Sequence, residues 1–411
     1  MKTRVLHIID SFEQGGTERQ AIQLVRLLRE TGRCDVHLAC LQNKGTLRIE
    51  AKRFGLGEIP EYPLTSFYDH NFAIQLRRLA RFLKENKINV VHTHDFYTNT
   101  FGMTAAAVAR VPVRIASKRE TDGFRTPMQK HVERVIYRFA HRVIANSNAV
   151  RDQLIREGAP AKKIVTLYNG LDTARATPSP GVSREAALAM FGLPQDSERR
   201  FVTIVANVNH PVKDHDTFLR AAARARAAVA NSAFIVAGEG KLMSSLQALA
   251  AQLGLERDVF FLGRCEKVAE LLSVSDVCVL SSKAEGFSNS ILEYMAAARP
   301  VVVTDVGGAR EAVTDGETGY IVPAGDDEEM ANRIIELLRD SKLAHAMGER
   351  GQVVVTEKFS CAAQLARIEQ LYTGVETLRS ASRRKTEKVI ERAVAPGRDI
   401  RQSADGPRGP R

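Results

Sequence analysis

Residues 285–300 read EGFSNSILEYMAAARP, so that Glu285 and Glu293 bracket seven residues. The run that Glu293 opens, rich in Ala, Met and Tyr, reads as helix, and Gly286, Ser288, Asn289 and Ser290 before it are residue types that start helices. A helix N-terminus gathers unpaired backbone N–H groups and a partial positive charge, which together favour a phosphate or another anion. One carboxylate at the mouth and one two turns along would flank a phosphorylated ligand. A capped helix with two solvated carboxylates fits the same spacing.

Other candidates lie earlier in the chain. Gly15 and Gly16 follow the first apolar run, where small residues let backbone N–H groups approach a bound group closely, although a tight turn without a ligand has the same composition. His92 and His94 alternate at the end of the run NVVHTH, facing the cleft that this reading expects, without an evident third metal ligand. No dinucleotide fingerprint is present, since GEGKLM at 238–243 has Gly at two of the three required places, and Walker A and Gly-x-Ser-x-Gly motifs are lacking. NAD, P-loop and hydrolase chemistries lose ground accordingly.

These residues need a scaffold, and the chain supplies strand–helix alternation. RVLHIID is followed by the turn EQGGTER and the amphipathic RQAIQLVRLLRE, after which VHLACL, NVVHTH, VRIASK and RVIANS recur as short apolar runs. The pattern breaks at NGLDTARATPSPGVS, between Asn169 and Ser183, and resumes with RFVTIVAN, AFIVAGEG, VFFLGR, VCVLSS and PVVVTDVGG. The expectation is α/β, two doubly wound parallel halves with ligands at the carboxyl ends of the strands. The boundaries expected are 1–172, 173–358, a helix at 359–378 returning to the first half, and a basic, mostly disordered tail at 379–411.

The 411 residues are 44% hydrophobic, enough for two sizeable cores. No apolar run reaches the roughly 20 residues of a membrane span, and the N-terminus lacks a signal-peptide pattern, so a cytoplasmic location is expected. The five cysteines are scattered and read as buried reduced thiols. The net charge of +11 is unevenly divided: residues 1–172 carry 28 Lys and Arg against 17 Asp and Glu, whereas 173–374 carry 21 against 26. A basic first half points to a polyanionic partner or to a solvated face.

Together these segments resemble the retaining glycosyltransferases of family 4, which have the GT-B fold of two facing Rossmann-like domains. The resemblance spans roughly residues 3–375 and is carried by GGTERQ, VVHTHD, NSNAV with LYNGLD, VKDHDTFLRA, VAGEG, FFLG, and SDVCVLSSKAEGFSNSILEYMAAARPVVVTDVGGAREAVTDGETGYIVP. It implies a nucleotide sugar in the C-terminal half, with its diphosphate over the helix start, where Ser288, Asn289 and Ser290 would donate to phosphate oxygens. Gly16 would lie on the nucleotide-sugar side and Gly15 on the acceptor side. Glu293 would bind the ribose hydroxyls, Glu285 would face the donor sugar, and Lys213 would offset charge on the departing diphosphate. No cofactor and no catalytic metal are implied.

Two departures from the family pattern stand out. No Arg accompanies Lys213 in ANVNHPVKDH, where His210 stands three residues before it, and SKRETDGFR replaces a His that many members carry, putting Lys118 or Arg119 in that neighbourhood. Either cation would contact a phosphate or an anionic acceptor, unless it is plain surface charge. His94 would touch the acceptor.

The function expected is transfer of a hexose-type sugar, with retention, from a UDP- or GDP-linked donor to a glycan or lipid-linked acceptor, as in bacterial surface polysaccharide or lipopolysaccharide synthesis. A sugar-nucleotide epimerase and a non-catalytic nucleotide-sugar-binding protein are the rivals. Basic segments near 72–86 and 128–142, with Arg77, Arg78, Arg81, Lys84, Lys130, Arg134, Arg138 and Arg142, would hold the enzyme at an anionic membrane surface. Nucleic acid is not an expected partner, because those segments lack interleaved aromatic residues.

Overall fold

The computed structural model describes residues 2–121 and 125–374. The first half holds β1 (Thr3–Ile9), β2 (Cys34–Cys40), β3 (Val90–Thr93), β4 (Val113–Lys118), β5 (Arg142–Ala145) and β6 (Ile164–Thr166). The second holds β7 (Arg200–Val205), β8 (Ser232–Ala237), β9 (Val259–Gly263), β10 (Val277–Leu280), β11 (Val301–Thr304) and β12 (Tyr320–Val322). Their near-continuous Val, Ile and Leu content is what a parallel sheet covered by helices on both faces requires. Val5, Leu6, Ile8, Val202, Ile204, Val302 and Val303 are all fully buried.

Both sheets are parallel and six-stranded, ordered β2-β1-β3-β4-β5-β6 and β12-β11-β10-β7-β8-β9. In the first, the chain leaves β1 for β2 on one side and then crosses to β3 on the other. In the second, β7 leads to β8 and β9 before the chain crosses to β10. Each sheet therefore has a switch point where neighbouring connections diverge and leave a crevice beyond the strand ends. At the first switch point lie the Gly15-Gly16 turn and the His94-Asp95 turn. At the second lie the loops carrying Lys213 and Glu285.

The chain passes between the two lobes twice, and the two passages pair: Leu171 N–H donates to the Phe359 carbonyl at 2.7 Å and Cys361 N–H to the Leu171 carbonyl at 3.1 Å. The helix over 361–374 then packs Ile368 and Tyr372 into the core of the first lobe, among Val5, Ile9, Ile22 and Leu24. The tail at 379–411 lies outside the described residues.

Candidate functional site between two helix N-termini

The loop after β7 forms a 3-10 turn, Pro211–Lys213, and ends on Asp214 in the left-handed region (φ 49°). The loop after β10 fixes it. Ser281 Oγ donates to the Lys213 carbonyl at 2.9 Å, Lys283 N–H donates to the Val212 carbonyl at 2.8 Å, and Lys283 Nζ pairs with Asp214 at 2.9 Å. Held this way, Lys213 Nζ lies 2.5 Å from Glu285 Oε1, which also accepts from Ser282 Oγ at 2.7 Å. The two residues expected to act on the leaving group and the sugar thus touch. His210, at the entry of the same turn, is exposed.

Glu285 leads into the helix Asn289–Ala296, with Ser288 as its N-cap residue and no side-chain cap. Ser290 Oγ donates to the Val205 carbonyl at 3.0 Å, and Tyr294 Oη accepts from Val205 N–H at 2.7 Å, tying the helix to the end of β7. The Ser290 hydroxyl is therefore engaged within the protein, and the anion donors at this helix start are first of all its backbone amides. Glu293 lies one turn along, half-buried.

The helix Gly16–Glu30 approaches from the other lobe with its own N-terminus. A Cβ on Gly16 would stand 3.5 Å from Asn289 Nδ2, whereas one on Gly15 would clash with the Glu18 carboxylate. Asn289 Oδ1 accepts from Gln20 Nε2 at 3.2 Å and from Asn169 Nδ2 at 2.9 Å. Two helix N-termini, each with a partial positive charge, face one narrow space. Glu311 fastens the lobes nearby by accepting from Asn148 N–H at 2.7 Å and Ala149 N–H at 3.1 Å.

The two neighbouring cations after β4 have separate fates. Lys118 is 4% exposed and pairs with Glu133 at 3.0 Å and Glu157 at 3.6 Å. It is a buried structural ion pair, which corrects the expectation that Lys118 is one of the two cations open to the ligand. Arg119 takes the cleft: its Nη1 donates to Asn169 Oδ1 at 2.7 Å, while its carbonyl presses against Gly286 so closely that a Cβ there would clash. Thr121 Oγ1 donates to the Glu285 carbonyl at 2.5 Å.

His92 and His94 do not open onto solvent, as their alternation implied; both are buried. His7 joins them, because β1 and β3 are neighbours in a register that sets His7 beside His92. His94 Nε2 lies 3.0 Å from His7 Nδ1, and His92 is held by Tyr372 Oη at 2.9 Å and Ser117 Oγ at 2.8 Å. Burial, foremost, pushes all three imidazoles well below their usual range, His7 to about 3. One nitrogen from each lies within 4.8 Å of the others; Tyr372 Oη also reaches His7 Nε2 at 3.5 Å, which leaves His94 Nδ1 as the ring nitrogen of the three that is buried without a hydrogen-bond partner. Beside it, Asp95 caps the helix Phe96–Val108, and burial raises its carboxyl to about 7. Burial raises Glu18 and Asp10 as well.

Sequence reasoning missed His7, Glu18, Asp95, Asn169 and Thr121. His7 had a signal in the sequence, a polar residue inside an otherwise apolar first strand. Asn169 had a weaker one in NGLD, at the break between the halves.

Sequence comparison places these features. The model of Glycosyltransferase Family 4 matches residues 14–175, and that of Glycosyl transferases group 1 matches residues 189–354. EpsD of Bacillus subtilis, named as a glycosyltransferase, is 28% identical over 322 residues, covering 75% of this chain and 82% of its own. An Escherichia coli UDP-Gal:α-D-GlcNAc-diphosphoundecaprenol α-1,3-galactosyltransferase is 26% identical over 308 residues, 72% of this chain and 77% of its own. Among solved structures, Anabaena HepE in complex with UDP shares the fold with a TM-score of 0.80 at 22% identity, over 91% of this chain and 100% of that one. The chain belongs to glycosyltransferase family 4 and has the GT-B fold.

Proposed function

We propose that this glycosyltransferase transfers a hexose-type sugar, with retention, from a UDP- or GDP-linked donor to a glycan or lipid-linked acceptor in the making of a bacterial surface polysaccharide or lipopolysaccharide. The observation that carries the reading is the meeting of Lys213 and Glu285 at the second switch point, beside two opposed helix N-termini. The diphosphate lies over the start of Asn289–Ala296, near Ser288 and Asn289, with Gly16 facing it. Glu293 takes the ribose, and Glu285 orients the sugar and offsets positive charge at the anomeric carbon. Lys213 and His210 serve the phosphates. Gly15 lies on the acceptor side, the buried His94 backs it, and Arg119 stands at the border between acceptor and phosphates. The relatives named above support a nucleotide-linked donor and a lipid-linked glycan acceptor.

A nucleotide-release assay tests this reading. A transferase releases nucleoside diphosphate faster when its acceptor is supplied, an epimerase without need of one, and a binding protein not at all. Acceptor-dependent release is the expected result.

Docking on anionic membrane from the cytoplasmic side belongs to the same proposal. On the helix His70–Glu85, Arg77, Arg78, Arg81 and Lys84 are exposed beside Ile74, and on Pro127–Phe139, Arg134 and Arg138 are exposed beside Met128 and Phe139. Lys130 contributes less, being paired with Glu157 at 2.9 Å. Among the described residues no helix is long and apolar enough to cross a membrane. Exposed apolar side chains between cations add burial to charge attraction of about 1 kcal/mol per basic residue. The protein is expected to sediment with anionic vesicles, less so when Arg77, Arg78, Arg81 and Lys84 are neutralised. Equal sedimentation with neutral vesicles would contradict this.

A further inference from the structure

We propose that Arg119, reaching across from the first lobe, is the second cation of the donor diphosphate and takes the place of the arginine missing beside Lys213. The inference rests on the donor reading above and deepens it.

The need comes from the second lobe itself. The turn Pro211–Lys213 offers one fixed cation, and Lys213 already shares its charge with Glu285. A departing nucleoside diphosphate develops more negative charge than one half-neutralised ammonium offsets. His210 stands exposed at the entry of that turn and is not a fixed cation.

Arg119 stands where that deficit lies. Its backbone packs on Gly286, the residue after Glu285, and its Nη1 holds Asn169, whose Nδ2 in turn donates to the Phe287 carbonyl at 3.1 Å and to Asn289 Oδ1 at 2.9 Å. One side-chain amide thus separates the guanidinium from the first residue of the helix that would receive the phosphates. The guanidinium is also under-satisfied. Its Nε is buried with no hydrogen-bond partner, and among the described residues no carboxylate lies within ion-pair distance. Desolvation accordingly pushes it down to about 10, with only Glu18 opposing. A buried cation without an anion is costly, and that cost is recovered when an anion binds. A planar fork anchored by one nitrogen keeps its other donors in fixed directions, which suits a phosphate.

The charges around Arg119 favour the donor phosphate over an anionic acceptor. On its first-lobe side Arg119 feels Glu18, and the acids there feel each other: burial first and then Asp10 raise Glu18, and burial first and then Asp10 and Glu18 raise Asp95. That side repels an anion, whereas the Asn289 side offers helix amides.

The test titrates UDP, GDP and their nucleosides against wild type, Arg119→Gln, Arg119→Lys and Asn169→Ala. Arg119→Gln is expected to bind the preferred diphosphate roughly 10- to 100-fold more weakly, as loss of a charged hydrogen bond predicts, while nucleoside affinity changes by less than about threefold. Arg119→Lys keeps the charge and is expected to recover part of the loss. Asn169→Ala removes the anchor but leaves the cation, so its diphosphate affinity is expected to fall clearly less than that of Arg119→Gln. Unchanged diphosphate binding in Arg119→Gln would overturn the proposal, even if turnover fell through the acceptor. So would equal losses in Arg119→Gln and Asn169→Ala, which would make Arg119 a latch between the lobes. Failure of wild type to bind either nucleotide would instead refute the donor reading on which the proposal stands.

Discussion

Glu285→Gln is expected to lower turnover by roughly 10²- to 10³-fold while nucleotide affinity stays within about threefold of wild type. The substitution keeps the side chain's shape, so Ser282 retains a hydrogen-bond partner and the loop into Asn289–Ala296 keeps its path. What is lost is the negative charge that the proposal sets beside the reacting sugar. The change also releases Lys213, whose ammonium now faces Glu285 at 2.5 Å. A freed Lys213 holds a diphosphate at least as well as a paired one, which is why binding survives when catalysis does not. Parallel losses of affinity and turnover would show that Glu285 serves binding alone.

Lys118→Ala is expected to cost about 3–5 kcal/mol of folding stability, because it strands the Glu133 carboxylate where water reaches it poorly and leaves Glu157 with Lys130 alone. Lys283 makes an equally short ion pair with the buried Asp214, but the lysine is 58% exposed and Asp214 also accepts from Thr217 Oγ1 at 2.7 Å. Lys283→Ala should accordingly cost less than Lys118→Ala. Denaturant unfolding of the two variants measures the contrast directly, and a loss under about 1 kcal/mol for Lys118→Ala would remove the buried pair from the account. Diphosphate affinity of the folded Lys118→Ala protein should match wild type, which separates this lysine from its neighbour Arg119.

Those neighbours show where sequence reading stops. The strand–helix alternation, the break after Asn169 and the helix start between Glu285 and Glu293 are local patterns, and each reappears in the structure at its place in the chain. Which of Lys118 and Arg119 enters the cleft is not local. It depends on how β4 ends against Glu133 and Glu157, and a shift of one residue exchanges the two faces of a strand. The histidines carry the same lesson. His92 and His94 read as a pair at a strand end, but the parallel register of β1 with β3 adds His7 and turns the group inward. The engagement of Ser290 by Val205 is likewise invisible in a helix-start motif, since it depends on where β7 ends. Asn169 acquires its importance only when the lobes meet, by joining Arg119 to Asn289.

The central claim is that a nucleoside diphosphate, as part of a nucleotide sugar, binds between the two helix N-termini. A thermal-shift titration with UDP, GDP, ADP and their hexose conjugates tests it most directly, because a ligand at about 100 times its dissociation constant adds roughly 2.7 kcal/mol of stability. One diphosphate and its sugar conjugate are predicted to raise the melting temperature of wild type, with a clearly smaller rise in Glu293→Ala, which lacks the proposed ribose contact. No shift with any of them, or the same shift in Glu293→Ala, would contradict the account.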